Sequence, residues 1–265
     1  MSPRILLHYW RTVLTVAEMT LRQQLTDGFI LFTVLFQPII IAVLGLWMLK
    51  DRGADAAMFV VVGSGLTGLW SSLLFVSGGS INRERWSGTL ESLVAAPTPF
   101  EVIVFGKNLA NVLQSLVSMI VGYFIAAYAF GYSLAILQPF LFVISVLLAV
   151  IAFISFGLVI APIFVMKPEI RAWQNAMEFP VYVLCGFLFP IALLPGWTTP
   201  ISYLLPPYWA AVALHGTSTG GASLQQTLTT WGMMLVFSLL DLFLASRLFK
   251  LMLYRVRADA TLGLE

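Results

Sequence analysis

The chain has 265 residues, of which 60% are apolar and only 10% are charged, and its mean hydropathy is +0.94. A soluble globular protein carries roughly 25% charged residues, so this composition excludes a soluble fold with a hydrated surface. The formal net charge of +2 is uninformative as a total. A bilayer removes the need for surface charge, because lipid-facing residues should be apolar. We therefore expect an all-α integral membrane protein.

Six apolar segments are long enough to span a bilayer, which takes about 20 mostly apolar residues in a helix. We predict transmembrane helices at residues 28–49, 56–79, 109–130, 138–165, 173–193 and 228–251. No internal repeat or soluble linker is visible, so we predict a single transmembrane domain over residues 1–265.

Basic residues give the orientation of these six spans. With the N-terminus in the cytoplasm, 12 of the 14 Lys and Arg residues fall on the inner side, and only Lys50 and Arg52 fall outside. Inner loops carry such an excess of basic residues. The sequence therefore predicts that both termini are cytoplasmic.

Residues 4–25 are amphipathic at helical spacing, with an apolar series of Leu6, Trp10, Val13, Ala17 and Leu21. This pattern favours a helix that lies in the inner membrane interface. A short cytoplasmic helix packed on protein remains the alternative.

The region 190–215, before the last span, is apolar but contains five prolines and no charged residue. Proline at this density cannot continue a regular helix. Irregular backbone at membrane depth must be covered by protein or line a wet cavity. We therefore predict a broken, re-entrant pair of short helices at the outer face.

The segment 80–100, between spans 2 and 3, is the most polar internal part of the chain. Charges of both signs alternate there, and Leu90, Leu93 and Val94 follow as a short apolar face. This combination suits a cytoplasmic helix that docks a partner, because charges set the register while the apolar face supplies contact area. A solvated loop is the competing interpretation.

Two groups of residues resemble the ABC-2-type transporter permeases. The first is Arg83-Glu84-Arg85, Gly88-Thr89-Leu90-Glu91, Pro97 and Gly106-Lys107; the second is Gly186-Phe187-Leu188-Phe189-Pro190, Leu194-Pro195-Gly196-Trp197 and Pro206-Pro207-Tyr208. The amphipathic N-terminal helix and the six spans fit the same family. The resemblance therefore covers essentially the whole chain.

The resemblance implies a multi-pass subunit of an ABC exporter in the bacterial inner (plasma) membrane. Such permeases pair with an identical copy or a paralogue, contact membrane lipids and bind cytoplasmic ABC ATPase subunits, which carry the ATP and magnesium. They bind no nucleic acid, catalyse no reaction and hold no cofactor themselves. Their substrates include lipid-linked saccharides, lipids and hydrophobic drugs, which would pass along the dimer interface formed by spans 1, 2 and 5. Carried onto this sequence, the ATPase-docking residues are Arg83, Glu84, Arg85, Gly88, Thr89, Leu90 and Glu91.

Two carboxylates, Glu178 and Asp241, fall inside predicted spans 5 and 6. Intramembrane carboxylates are costly and suggest substrate binding or coupling. Structural roles compete: Glu178 shares a helix face with Arg171, and Asp241 could pair with a polar group on a neighbouring span.

Other patterns support different functions less well. Residues 63–68 match a dinucleotide-binding GxGxxG but lie in a predicted span, where small residues favour helix packing. No GxxxxGK[ST] occurs, which favours a separate ATPase. Ser64 with His215 could suggest an intramembrane protease. A secondary transporter would leave the polar segment 80–100 unexplained. His8 and His215 are predicted on opposite sides of the membrane, which argues against a metal site.

Overall fold

The computed structural model describes residues 3–49, 52–77, 88, 92, 98–166 and 170–258, and none of these residues forms a β-strand. The all-α prediction is confirmed for this part of the chain. Its α-helices are α1 (Pro3–Gln24), α2 (Gly28–Leu31), α3 (Gln37–Met48), α4 (Ala54–Ser71), α5 (Phe100–Phe124), α6 (Pro139–Val165), α7 (Ile170–Leu184), α8 (Thr199–Leu204), α9 (Pro206–Thr219) and α10 (Leu224–Ala258).

Helical turns of other kinds extend or join these helices. π-Helical stretches at Phe32–Phe36, Ser72–Ser77 and Ile125–Ala129 join α2 to α3 and continue α4 and α5. Two 3₁₀ turns, Ile191–Leu193 and Gly196–Thr198, precede α8. The chain from Gly28 to Met48 is therefore one continuous helical run that changes geometry in its middle.

Four helical stretches within the described ranges are long and apolar enough to cross a membrane: Ala54–Phe75, Phe100–Ala129, Pro139–Phe164 and Leu224–Arg255. They overlap predicted spans 2, 3, 4 and 6, although the stretch at span 3 begins at Phe100, nine residues before the predicted start at residue 109. Predicted span 1 corresponds to the continuous helical run from Gly28 to Met48. Predicted span 5 corresponds to α7, which ends at Leu184 instead of residue 193.

Helix α7 ends early for a local reason. Gly186 has a φ of +72°, which breaks the helical path, and Pro190 follows. With 15 residues, α7 is about 22 Å long, less than the roughly 30 Å of a hydrocarbon core.

Helix α4 lies at the centre of the bundle, and every residue from 60 to 74 is buried. Its glycines allow close packing: a Cβ atom on Gly63 would overlap the carbonyl oxygen of Phe187, and one on Gly65 would lie 2.6 Å from Cγ of Met119. The GxGxxG match is thus a set of contact positions inside a helix, as small residues between membrane helices commonly are.

Helices α8 and α9 occupy the predicted region of broken helices. They are separated by Leu205, whose backbone is extended, and Pro206 and Pro207 begin α9, where a missing N–H costs nothing. Helix α9 packs against α4, α6 and α10 and ends at Gly220, whose φ is +69°.

Helix α1 packs along α5 through a face of Val13, Ala17, Thr20 and Gln24, all buried. The two backbones approach closely at Gly106, where a Cβ atom would lie 2.8 Å from the carbonyl oxygen of Val13. Gln24 also donates a hydrogen bond to Asn111 of α5.

The opposite side of α1 leaves large apolar side chains open, among them Leu7, Trp10 and Leu14. Helix α1 therefore has one face on protein and a second apolar face that is uncovered within the described part of this chain.

Helix α10 packs on α6 along a single stripe and exposes the rest of its apolar surface. The buried stripe comprises Thr227, Thr230, Met234, Ser238, Asp241, Ala245, Phe249 and Met252. Its spacing of three and four residues is that of one helix face.

Candidate functional site

The predicted ATPase-docking residues fall mainly outside the described residues. Arg83, Glu84, Arg85, Thr89, Leu90 and Glu91 all do so, and only Gly88 belongs to the described part. Gly88 is exposed and has a φ of +69°, a backbone conformation that favours glycine.

A groove of about 640 Å³ lies close to where this segment rejoins the described chain. It is lined by Leu7, Tyr9, Trp10 and Val13 of α1, by Glu101, Val102 and Phe105 of α5, and by Leu158 of α6. Nε2 of His8 lies 3.4 Å from Oγ1 of Thr98, two residues before α5 begins. The start of α1 and the end of the polar segment 80–100 are therefore neighbours.

Helix α7 buries a polar stripe instead of an apolar one. Gln174, Glu178 and Tyr182 recur at four-residue spacing and are buried, whereas Trp173 and Phe179 are exposed. A helix with this pattern turns its polar face inward, toward the bundle, and its apolar face outward.

The centre of the stripe is Glu178, whose side chain is only 6% exposed. Its Oε1 atom accepts hydrogen bonds from Nε2 of Gln37 at 3.0 Å, Oγ of Ser71 at 3.1 Å and the hydroxyl of Tyr182 at 2.9 Å. The Ser71 and Tyr182 hydroxyls also lie within hydrogen-bond distance of each other. One turn away, Gln174 donates to the carbonyl of Leu74. We call Gln37, Ser71, Glu178 and Tyr182 the Glu178 cluster.

These hydrogen bonds explain how a carboxylate is tolerated there. Placing an acidic side chain at the centre of a membrane helix costs about 3 kcal/mol on insertion scales. A hydrogen bond between membrane helices is worth about 0.6 to 2 kcal/mol. The three donors therefore roughly offset the burial cost, and the two on other helices, Gln37 and Ser71, fix which helices α7 contacts.

Asp241, on α10, has a different environment. It is 8% exposed, and its Oδ2 atom has no hydrogen-bond partner among the described residues. Glu178 and Asp241 lie on different helices and share no hydrogen bond in this part of the chain.

The serine and histidine that suggested a protease do not form a pair. The hydroxyl of Ser64 donates to the carbonyl of Val61 in its own helix, and it faces α5 near Gly122. His215 stacks on Phe59, with ring centroids 3.8 Å apart. No hydrogen bond joins Ser64 to His215 in the described structure, and no cluster of three metal-ligating residues occurs among the described positions.

Sequence reasoning identified Glu178 but missed Gln37, Ser71, Tyr182 and Gln174. The spacing of Gln174, Glu178 and Tyr182 was a visible signal of one polar helix face. The donors on the other helices lie 141 and 107 residues away along the chain, and only the tertiary structure brings them to Glu178.

Long apolar helices, a close-packed glycine helix and buried intramembrane polar contacts define a multi-pass helical membrane protein. Residues 11–218 match the family described as ABC-2 type transporter. The chain belongs to this family and is the membrane component of an ABC transporter.

A curated relative supports this family assignment. The chain is 29% identical over 145 residues to ABC transporter G family member 20 of Dictyostelium discoideum. The similar part covers 55% of this chain and 20% of the relative, so the chain spans about a fifth of the length of the curated relative that it matches.

Proposed function

We propose that this chain is the permease subunit of an ATP-driven exporter in a bacterial inner membrane. It has six spans with both termini in the cytoplasm and works as a pair with an identical copy or a paralogue. ATP and magnesium are bound by a separate cytoplasmic ATPase subunit. Family membership supports the transporter role, and the positive-inside pattern of the sequence supports the orientation.

One observation supports the proposed ATPase contact. The first turns of α1 and the end of segment 80–100 meet through His8 and Thr98, and the apolar groove lies beside them. An apolar groove beside Thr98, where the mixed-charge segment 80–100 rejoins the described chain, would supply contact area, and the charges of that segment would supply partner specificity. The ATPase is therefore proposed to bind across both elements, with Arg83, Glu84, Arg85, Gly88, Thr89, Leu90 and Glu91 at or beside the contact.

Gentle detergent extraction from the native host, followed by mass spectrometry of the purified complex, tests this assignment. We expect one ATPase subunit per permease, and the presence or absence of a paralogue distinguishes heterodimer from homodimer. Recovery of the chain alone would contradict ATP coupling.

Charge reversal locates the contact within the same complex. Glu84→Lys or Glu91→Lys should release the ATPase while the permease remains folded. Asp55→Lys is the matched control, because Asp55 is exposed in the first turn of α4 and is predicted on the opposite side of the membrane. If both Glu variants retained the ATPase, the docking residues would be wrong.

The lone cysteine makes the orientation easy to test. In a Cys185→Ala background, a membrane-impermeant maleimide should label Asp55→Cys in intact cells, but should label Arg83→Cys only after permeabilisation. Labelling of both positions in intact cells would contradict the six-span topology.

Among the three substrate classes, a second cavity favours a lipid that carries an uncharged saccharide. This cavity of about 460 Å³ lies between α9 and the start of α10, on the predicted outer side. Trp209, Gln225, Gln226 and Thr229 contribute to its lining, and no charged residue of the described chain does. An aromatic ring with neutral hydrogen-bonding groups suits a polyhydroxylated ligand.

Substitution of the tryptophan tests this preference. Trp209→Ala should slow export of a lipid-linked saccharide about tenfold without changing assembly with the ATPase. Trp197→Ala is the control, because Trp197 is exposed and does not line the cavity. Unchanged export by the Trp209 variant would favour a lipid or drug as the substrate.

A further inference from the structure

The Glu178 cluster coincides with two changes of helix geometry. Gln37 is the first residue after the π-helical stretch Phe32–Phe36, and Ser71 is the last residue before the stretch Ser72–Ser77. Both residues donate to the same oxygen of Glu178. The Glu178 carboxylate therefore accepts hydrogen bonds from residues at the α-to-π boundaries of two helical runs, the one that contains α3 and the one that contains α4.

The contact beside the cluster also involves π-helical backbone. The carbonyl that accepts from Gln174 belongs to Leu74, inside the second π-helical stretch. A π-helical turn disturbs the regular hydrogen-bond ladder, and such turns are frequent at functional positions. Gln174 thus bonds the backbone of span 2 at the point where its geometry departs from the α-helix.

Hydrogen bonds form part of the contact between α7 and these runs. Among the α7 residues whose side chains the structure describes, Gln174, Glu178, Val181 and Tyr182 are buried; Val181 and Tyr182 belong to the apolar core, and Met177 packs against it. Between membrane helices there is no hydrophobic driving force, and each interhelical hydrogen bond is modest in strength. The hydrogen-bonded part of this interface, around Gln174 and Glu178, can therefore change its contacts one hydrogen bond at a time.

We propose that Glu178 is a coupling residue: by accepting from Gln37 and Ser71 together, it ties spans 1 and 2 to α7 and transmits movement of span 2 to span 1. This inference rests on the proposed exporter function. Span 2 leads directly into the predicted ATPase-docking segment, so ATPase closure would displace the π-helical end of span 2 first. Because Ser71 and Gln37 share one acceptor, that displacement changes the contact of span 1 as well.

The same geometry argues against a direct contact between Glu178 and substrate. Its side chain is buried, and Oε1 already accepts from three donors of this chain. Glu178 acts through the helices that it joins, as a positioning residue.

An exchange of side chains tests the contact without knowledge of the substrate. Gln37→Glu places a second carboxylate against Glu178, and Glu178→Gln removes the charge. In the double variant the carboxylate and amide change places, and the new amide oxygen on α7 can still accept from Ser71 and Tyr182. We expect Gln37→Glu to lower the melting temperature of the purified chain by several degrees, and the double variant to recover at least half of that loss. No loss in the single variant, or no recovery in the double one, would overturn the pairing.

Transport by the reconstituted complex then distinguishes a coupling role of Glu178 from a purely structural one. Glu178→Gln and Gln37→Ala should lower the number of lipid-linked saccharide molecules exported per ATP hydrolysed at least threefold, while the ATPase remains bound. Ser145→Ala is the control, since it removes a hydrogen bond from Trp231 that joins α6 to α10 and lies outside the cluster. An unchanged ratio in the cluster variants would overturn the coupling role and leave Glu178 as a structural contact. Failure of the exporter proposal would show separately, as loss of ATPase co-purification from the unmodified chain.

Discussion

Helix α4 is joined to its neighbours in two different ways. Its glycines bring atoms of the surrounding elements so close that any side chain would overlap them, as at Gly63 and Gly65. Toward α7 the contact includes the hydrogen bond that Ser71 of α4 donates to Glu178. A close-packed glycine contact leaves no space for the two elements to move against each other, whereas a hydrogen-bonded contact can open one bond at a time. We therefore expect α4, α5 and the backbone at Phe187 to keep their contacts, and the part of α7 around Glu178 to be the one that changes them.

The largest effect should come from a side chain placed in the close-packed contact. A Cβ atom on Gly63 would overlap the backbone carbonyl oxygen of Phe187, which cannot move aside cheaply. We expect Gly63→Leu to lower the stability by more than about 4 kcal/mol, the range of severe overpacking and strain, so that little folded protein is recovered. Size-exclusion chromatography and thermal unfolding in detergent measure this loss.

Gly232→Leu is the matched control for that variant. Apart from the backbone of its own helix, nothing in the described structure lies within 4 Å of a Cβ added to Gly232 on α10, and its variant should fold with a nearly unchanged melting temperature. A stable Gly63→Leu protein would show that α4 and the backbone at Phe187 are not in rigid contact, and the comparison would fail.

An intermediate effect is expected on the hydrogen-bonded side. Ser71→Ala removes one of the donors to Glu178, and we expect a loss of about 1 kcal/mol in the free energy of unfolding. Ser64→Ala serves as control in the same helix, because its hydroxyl is equally buried but donates to the carbonyl of Val61 in its own helix. Differential thermal unfolding of the two variants measures the difference. Equal losses would mean that the hydrogen bonds to α7 add nothing beyond ordinary burial.

The two sides of α4 also differ in how far the sequence reveals them. The glycines of residues 63–68 lie within one apolar run, so helix packing could be predicted from local composition. Spans 2, 3, 4 and 6 were located for the same reason, since a long apolar run is a local property. The end of α7 was misplaced although Gly186 and Pro190 were visible, because the run 173–193 stays apolar across them.

The Glu178 cluster can be recognised only from the tertiary structure. A carboxylate in an apolar run attracts attention by itself, but Gln37 and Ser71 are unremarkable in the sequence and distant from it. The π-helical stretches beside them have no compositional signal either. Apolar runs predict which segments are helices, whereas polar contacts between helices depend on the rotation of each helix about its axis.

The smallest effect, and one of opposite sign, is expected at Asp241. Like Glu178 it is a buried carboxylate on a membrane helix, but Oδ2 lacks a hydrogen-bond partner among the described residues. A neutral amide costs less to bury than a carboxylate. Asp241→Asn should therefore raise the melting temperature slightly, equivalent to at most about 1 kcal/mol, whereas Glu178→Gln should lower it.

Thermal unfolding of both variants in the same detergent, near neutral pH, makes the comparison direct. A rise for Asp241→Asn with a fall for Glu178→Gln would mean that burial alone does not decide how an intramembrane carboxylate affects stability. The donors around it decide, and within the described chain they are present at α7 and missing for Oδ2 at α10. A fall in both variants would instead indicate that Asp241 has a stabilising partner beyond the described residues, in a second permease or in the remaining segments of this chain.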